Sequence, residues 1–208
     1  LARSATMAFS FANNKKFVEH VGFSINKKNK ISNITFALSD RAANDILGKD
    51  MWSKEVRLTL TNFLETYKTA YALKRLDFIE SIFADDALII VGHEVKVKKT
   101  RENQYKNNKI VKYNRYKKQQ YIKNLKYSFA RKAFINLKFE DSYIRTSAKS
   151  PTTYGIQIKQ NYYSSNYGDV GYLFLLVDLK NPSVPIIHVR TWQPDRNADG
   201  SIYGLSDF

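Results

Sequence analysis

Apolar positions along the chain change period several times, and each change marks a different kind of element. Met7–Phe11, Phe17–Ile25 and Ile31–Leu38 alternate apolar and polar residues as half-buried strands do. The polar run Asn26-Lys27-Lys28-Asn29-Lys30 makes a turn between the last two. Ser39 or Asp40 can cap a short helix through Ala42, Ala43, Ile46 and Leu47, and Gly48 stands where such a helix ends. From Ser53 the spacing becomes three and four. Val56, Leu60, Phe63, Tyr67 and Tyr71 predict an amphipathic helix of about five turns. Leu76–Phe83 reads as a shorter helix broken by Ala84-Asp85-Asp86, and Ala87–Val91 as a strand ending at Gly92.

Beyond Gly92 the pattern turns basic. Val95 and Val97 alternate with lysines, Gln104–Lys109 is turn-like, and Ile110–Tyr116 alternates again, which predicts a two-stranded arm over 94–117. Gln119–Arg131 is helical, with Ile122, Leu125 and Phe129 on one face. Four strands follow at Ile135–Thr146, Tyr154–Tyr163, Gly171–Leu179 and Val184–Gln193. Helices first and a run of strands last predict an α+β fold, with helices packed on one face of a curved antiparallel sheet.

Composition narrows the picture. Hydrophobic residues at 43% and aromatics at 14% exclude a disordered chain, and no apolar run has the length of a membrane-spanning helix. The absence of cysteine removes disulfides, thiolate metal sites and thiol nucleophiles at once. The net charge of +15 is concentrated: Val95 to Lys149 holds 17 Lys and Arg against three acids, and the rest of the chain holds 17 against 16. A solvated lysine-rich surface accounts for this. The arm and the next helix also carry Tyr105, Tyr113, Tyr116, Tyr121 and Tyr127, so a nucleic-acid site of stacking rings and cations is a competing reading. The chain opens at Leu1 and is expected to be a piece of a longer or processed protein.

The segment Leu76-Asp77-Phe78-Ile79-Glu80-Ser81-Ile82-Phe83-Ala84-Asp85-Asp86-Ala87-Leu88-Ile89-Ile90-Val91-Gly92, preceded by a long helix, resembles the nuclear transport factor 2-like superfamily. That superfamily includes ketosteroid isomerase, scytalone dehydratase and the SnoaL-like polyketide cyclases. The resemblance runs from about Trp52 to Pro194. It implies a cone-shaped sheet over 51–194, preceded by a β-rich appendage over 1–50 and followed by a tail over 195–208. The basic arm departs from the superfamily's usual pattern, in which a helix follows the first strand after a short loop. Residues 154–160 and 186–194 are similar to uncharacterised exported Bacteroidales proteins, which implies a periplasmic or exported, extracytoplasmic location.

An enzyme of this kind would place a carboxylate or histidine and hydrogen-bond donors inside the cone. No superfamily catalytic motif matches residue by residue. Tyr67 could donate from the long helix, but at helical spacing with Phe63 it reads as a core residue. Strand alternation sets Ile156 and Ile158 opposite Gln157 and Lys159, and Ile187 and Val189 opposite His188, Arg190 and Trp192. With the apolar faces inward, Phe63, Tyr67, Ile156, Ile158 and Val189 should line the pocket. Gln157, Lys159, His188, Arg190 and Trp192 should form an outer surface for a protein partner or a second copy, leaving Asp178 as the only inner acid, near a strand end.

Metal and cofactor chemistry find little support in the sequence. His20, His93 and His188 lack ligand spacing, and Asp85-Asp86 sits where the fold needs a turn. Asp195, Asn197 and Asp199 with Gly200 resemble the opening of a calcium loop, but Ser206 stands where its bidentate glutamate belongs, so a polar turn is expected. Neither a phosphate-binding glycine loop nor a nucleophile elbow is present. No cofactor is expected. The leading reading is a non-catalytic binding or assembly module with room for a small apolar ligand in the cone. A lyase or isomerase using that cone comes second, and nucleic-acid binding through the arm third.

Overall fold

The computed structural model describes residues 2–11, 16–95 and 110–208. The tip of the predicted basic arm, and Tyr105 with it, lies outside the described residues. Three strands come first: β1 (Ala2–Ser10), β2 (Lys16–Ile25) and β3 (Ile31–Phe36), paired antiparallel in that order. Helix α1 (Asp40–Leu47) starts where Ser39 Oγ accepts the Ala42 amide, and it buries Ala42 and Ile46. Helix α2 (Lys54–Ala72) is capped in the same way by Ser53 and buries Leu60, Phe63, Leu64, Tyr67 and Tyr71 along one stripe. A one-and-a-half-turn helix α3 (Leu76–Ser81) leads into β4 (Phe83–Val95).

After β5 (Ile110–Tyr116) and α4 (Lys118–Ala130), the chain makes β6 (Ile135–Ser147), β7 (Ser150–Ser164), β8 (Gly168–Asp178) and β9 (Ile186–Gln193). The result is a curved six-stranded sheet in the order β5-β4-β9-β8-β7-β6, with helices packed on its inner face. Two expectations are corrected. The sheet is mixed, because β4 and β9 run parallel: they are joined by most of the domain rather than by a hairpin, so no turn forces them antiparallel. The Ala84-Asp85-Asp86 break lies within β4, as an irregular stretch between its pairings at Phe83 and Leu88.

Period two also fails in β9, and the consequence is large. Leu176 pairs with Val189 but Val177 pairs with Ile187, so His188 is an extra residue in β9. A bulge of this kind reverses which face each later side chain occupies. Ile187 remains inward beside Val177. Val189 and Thr191 fall on the outer face with Leu176 and Phe174, while Arg190 and Trp192 turn inward beside Leu175 and Leu173.

The three-stranded sheet is fastened to the cone by polar contacts. Lys68 of α2, 4% exposed, meets Glu19 of β2, 6% exposed, at 2.5 Å, and also donates to the Ala37 carbonyl. The second Glu19 oxygen accepts from Asn136 of β6 at 2.8 Å. The Phe36 amide donates to Thr69 Oγ1, the Leu38 amide to Glu65, and the Phe11 ring stacks on Phe134 at 3.7 Å.

The other side of the sheet is covered by the end of the chain. Gln157 donates to the Tyr203 carbonyl, the Tyr203 amide donates to Gln193, and Phe208 stacks on Phe174. Leu205 lies so close over Gly155 that any side chain there would displace it.

Removing one member of a buried ion pair strands the other charge and costs about 3–5 kcal/mol. Glu19→Gln should therefore lower the unfolding free energy by about 3 kcal/mol in urea titration. A loss under about 0.5 kcal/mol would show that the pair contributes nothing to docking the first sheet.

Candidate functional site

The inward turn of Arg190 creates an unusual centre. Its side chain is 8% exposed, and among the described residues no carboxylate pairs with it directly. Its Nε donates to the Tyr67 hydroxyl at 3.3 Å, and its guanidinium lies 5.2 Å from the centre of the Tyr121 ring. Tyr67 donates in turn to Tyr71 at 3.3 Å, and the Tyr71 and Tyr121 hydroxyls share a 2.6 Å hydrogen bond. Arg190 Nη1 is buried without a hydrogen-bond partner. Leaving even a neutral donor in that state costs about 1–3 kcal/mol, and a charged one more.

Arg190 lines an open cavity of about 320 Å³ between α4 and the β4, β9, β8 and β7 strands. Its walls are Tyr71, Tyr121, Leu125, Leu137, Tyr162 and Trp192, an apolar and aromatic lining. Gln160 and Ser128 add polar positions. Toward solvent the cavity meets Asp169, Tyr167, Lys132 and His93. Tyr167 donates to Asp169 Oδ2 at 2.6 Å, while Oδ1 is buried and unpartnered. Lys132 Nζ sits over the rings of Tyr162 and Tyr167.

Burial raises the Asp169 carboxyl above the ordinary carboxylate range, against the opposing pull of the Tyr167 hydrogen bond and of Arg190 and Lys132. Burial also raises the Tyr71 and Tyr121 phenols, and it raises Tyr162, where the nearby Asp169 charge adds to the effect. Lys132 is lowered by the same desolvation. The site can thus offer a fixed cation, neutral phenol donors and one carboxylate at its mouth.

A naphthalene 1,2-dioxygenase chain solved with indole bound has TM-score 0.51 and 12% identity, covering 76% of this chain and 89% of its own. The chain has the nuclear transport factor 2-like fold. A Streptomyces avermitilis protein named as a dehydratase of the NTF2-like family gives TM-score 0.46 and 12% identity, covering 69% of this chain and 96% of its own. Bd1075 from Bdellovibrio bacteriovorus gives 0.49 and 13% over 69% of this chain, which spans 44% of the length of Bd1075. No family model matches the sequence, and no curated protein resembles it. Likeness at this level of identity speaks to the fold alone and to no activity.

Within that architecture the expected residues divide. Tyr67, Ile156 and Ile158 are buried on the inner side in the core rather than on this cavity's wall, and Phe63, also buried, lines a different cavity of about 270 Å³ with Ile82 and Pro182. Only Tyr67 touches the site, through Arg190. Val189 is corrected to the outer face, and Arg190 and Trp192 to the inner one, because of the His188 bulge. His188 itself is half-buried at the bulge. Gln157 and Lys159 do face outward, but Gln157 holds the tail and Lys159 pairs with Glu140 at 2.8 Å.

The other candidates take up structural positions. Asp178 caps a turn with Thr152 and the Lys180 amide. Tyr121, expected among the rings of a nucleic-acid surface, is buried against Arg190 instead. In the calcium-like turn, Asp195 and Asp199 each accept a backbone amide and Arg196 folds back onto the Gly200 carbonyl, so the loop closes on its own groups. Asp169, Tyr162, Tyr167 and Lys132 escaped sequence reasoning. Tyr162 is on β7, Asp169 on β8, and Tyr167 and Lys132 in connections, with no common spacing.

Raised phenols favour the folded chain only while the unfolded ones remain protonated. Their contribution is whole below about pH 10 and is lost as pH rises beyond it, since the unfolded chain releases protons the folded chain keeps. Alkaline titration should show part of the phenolate absorbance appearing cooperatively with loss of circular dichroism. Smooth ionisation of every tyrosine with the fold intact would contradict the buried phenol cluster.

Proposed function

We propose that the chain is a non-catalytic binding module whose cone holds a small, largely apolar molecule. The supporting observation is the open cavity of about 320 Å³, within the size range of small-molecule sites, with aromatic walls and a few convergent polar groups. The arrangement we propose is an appendage over 1–50, a ligand-binding domain over 51–194, and a tail over 195–208 that lies on the outer sheet face. The tail already occupies much of the surface expected to meet a partner, so the cavity is the better candidate for function. Among the described residues no helix is long and apolar enough to cross a membrane. We place the protein outside the cytoplasm on the resemblance of residues 154–160 and 186–194 to exported proteins.

One observation favours a second reading, a lyase or isomerase. Asp169 has a raised carboxyl and an unpartnered oxygen in the same cavity as several phenols, a combination suited to general-base chemistry.

Titration with 2-naphthol, followed calorimetrically, tests the module. Saturable one-to-one binding is expected, weakened at least about tenfold in Leu125→Trp, where the new ring fills the cavity. Binding unchanged by that substitution would remove the cavity from the account. A molecule that co-purifies with the chain and is recovered chemically unaltered after long incubation supports the module. Conversion that Asp169→Asn abolishes would install the enzyme reading.

A further inference from the structure

The charge and hydrogen-bond state of the cavity define its ligand more narrowly. Among the described residues, Arg190, Lys132 and Asp169 are the lysine, arginine and acid side chains that line it, and together they carry a net positive charge. Arg190 is nine-tenths buried among phenols, so its charge, unlike that of the part-exposed Lys132, is shielded from water. The Nε edge of Arg190 is occupied by the Tyr67 hydroxyl, which leaves the terminal nitrogens, and Nη1 has no partner. A guanidinium cannot shed its charge as a lysine can, so an acceptor brought in from outside would complete the site.

We propose, resting on the ligand-binding reading above, that the cavity takes a planar aromatic monocarboxylic acid, carboxylate innermost on the terminal nitrogens of Arg190. A single negative charge balances the site. A dianion such as a phosphate monoester would bring excess charge past the Asp169 carboxylate at the entrance, with only one buried cation to receive it. A planar body fits between Tyr121, Tyr162 and Trp192, with Leu125 and Leu137 closing the apolar side. With Oδ2 held by Tyr167, the Asp169 carboxylate on the cavity lining favours a hydrogen-bond donor at the outer end of such an acid. The site therefore sets polarity as well as class: acid inward, donor outward.

The test uses the full chain and two probes of nearly the same shape, 2-naphthoate and 2-naphthamide, titrated calorimetrically. Naphthoate should bind about 10- to 100-fold more tightly, the range a charge-assisted hydrogen bond in a buried site provides. The preference should fall to less than about threefold in Arg190→Gln. Should that variant fail to fold, Asp169→Asn reads the same electrostatics from the rim. It should strengthen naphthoate binding about two- to tenfold and leave naphthamide unaffected. Equal affinity of the wild-type chain for both probes would overturn the carboxylate assignment while leaving the cavity a binding site. Failure of both to bind, together with failure of 2-naphthol, would overturn the ligand-binding reading itself.

Discussion

The guanidinium of Arg190 lies inside the cone because β9 carries one residue more than the stretch of β8 beside it, and the rest of the inner architecture follows from accommodating that charge. With His188 bulged out, Ile187, Arg190 and Trp192 share the inner face. The sheet brings an obligatory cation to a place where regular alternation would have put a valine. A lone buried cation is costly, and the surrounding structure offsets part of that cost. Tyr67 accepts from Nε, Tyr121 offers its ring face, and Tyr71 links the two phenols. What the phenols do not supply is a negative charge. The cavity beside Arg190 is where one can enter.

The remainder of the structure sets the position of these groups. Helix α2 supplies Tyr67 and Tyr71 from one stripe and Lys68 from the edge of that stripe, where the Glu19 and Asn136 network docks the first sheet. Helix α2 thus touches both the first sheet and the Arg190 cluster. On the opposite face of the sheet the tail packs on Gly155, Gln157 and Phe174, covering strands β7 and β8 behind the site. Both sides of the cone are thus closed by the chain itself, and the opening is at the end lined by Tyr167, Asp169 and Lys132.

Much of the fold could be read from the sequence because it rests on local signals. The spacing of Leu60, Phe63, Tyr67 and Tyr71 gives a helix, Ser53 and Ser39 cap helices, and the motif around Phe83 and Gly92 resembles one superfamily. The site could not be read in the same way. Its central residue depends on a bulge, and Ile187-His188-Val189-Arg190 alternates so regularly that nothing marks His188 as extra. The energetic preference for an exposed arginine points the wrong way as well, because Tyr67, Tyr71 and Tyr121, which make burial tolerable, come from two helices far apart in the chain. Asp169 stands between Gly168 and Val170 with no spacing relation to Arg190, and only the β7–β8 and β8–β9 pairings bring the two to one cavity.

Nitrogen-edited nuclear magnetic resonance of the arginine side chains tests the inward placement of Arg190 most directly. The Arg190 Nε–H should exchange slowly with water and show cross-relaxation to the ring protons of Tyr67 and Tyr121, as a buried, hydrogen-bonded group must. Arg190→Gln identifies the signal. Rapid exchange like that of a surface arginine, with no contact to either ring, would place the guanidinium outside the cone and contradict the account.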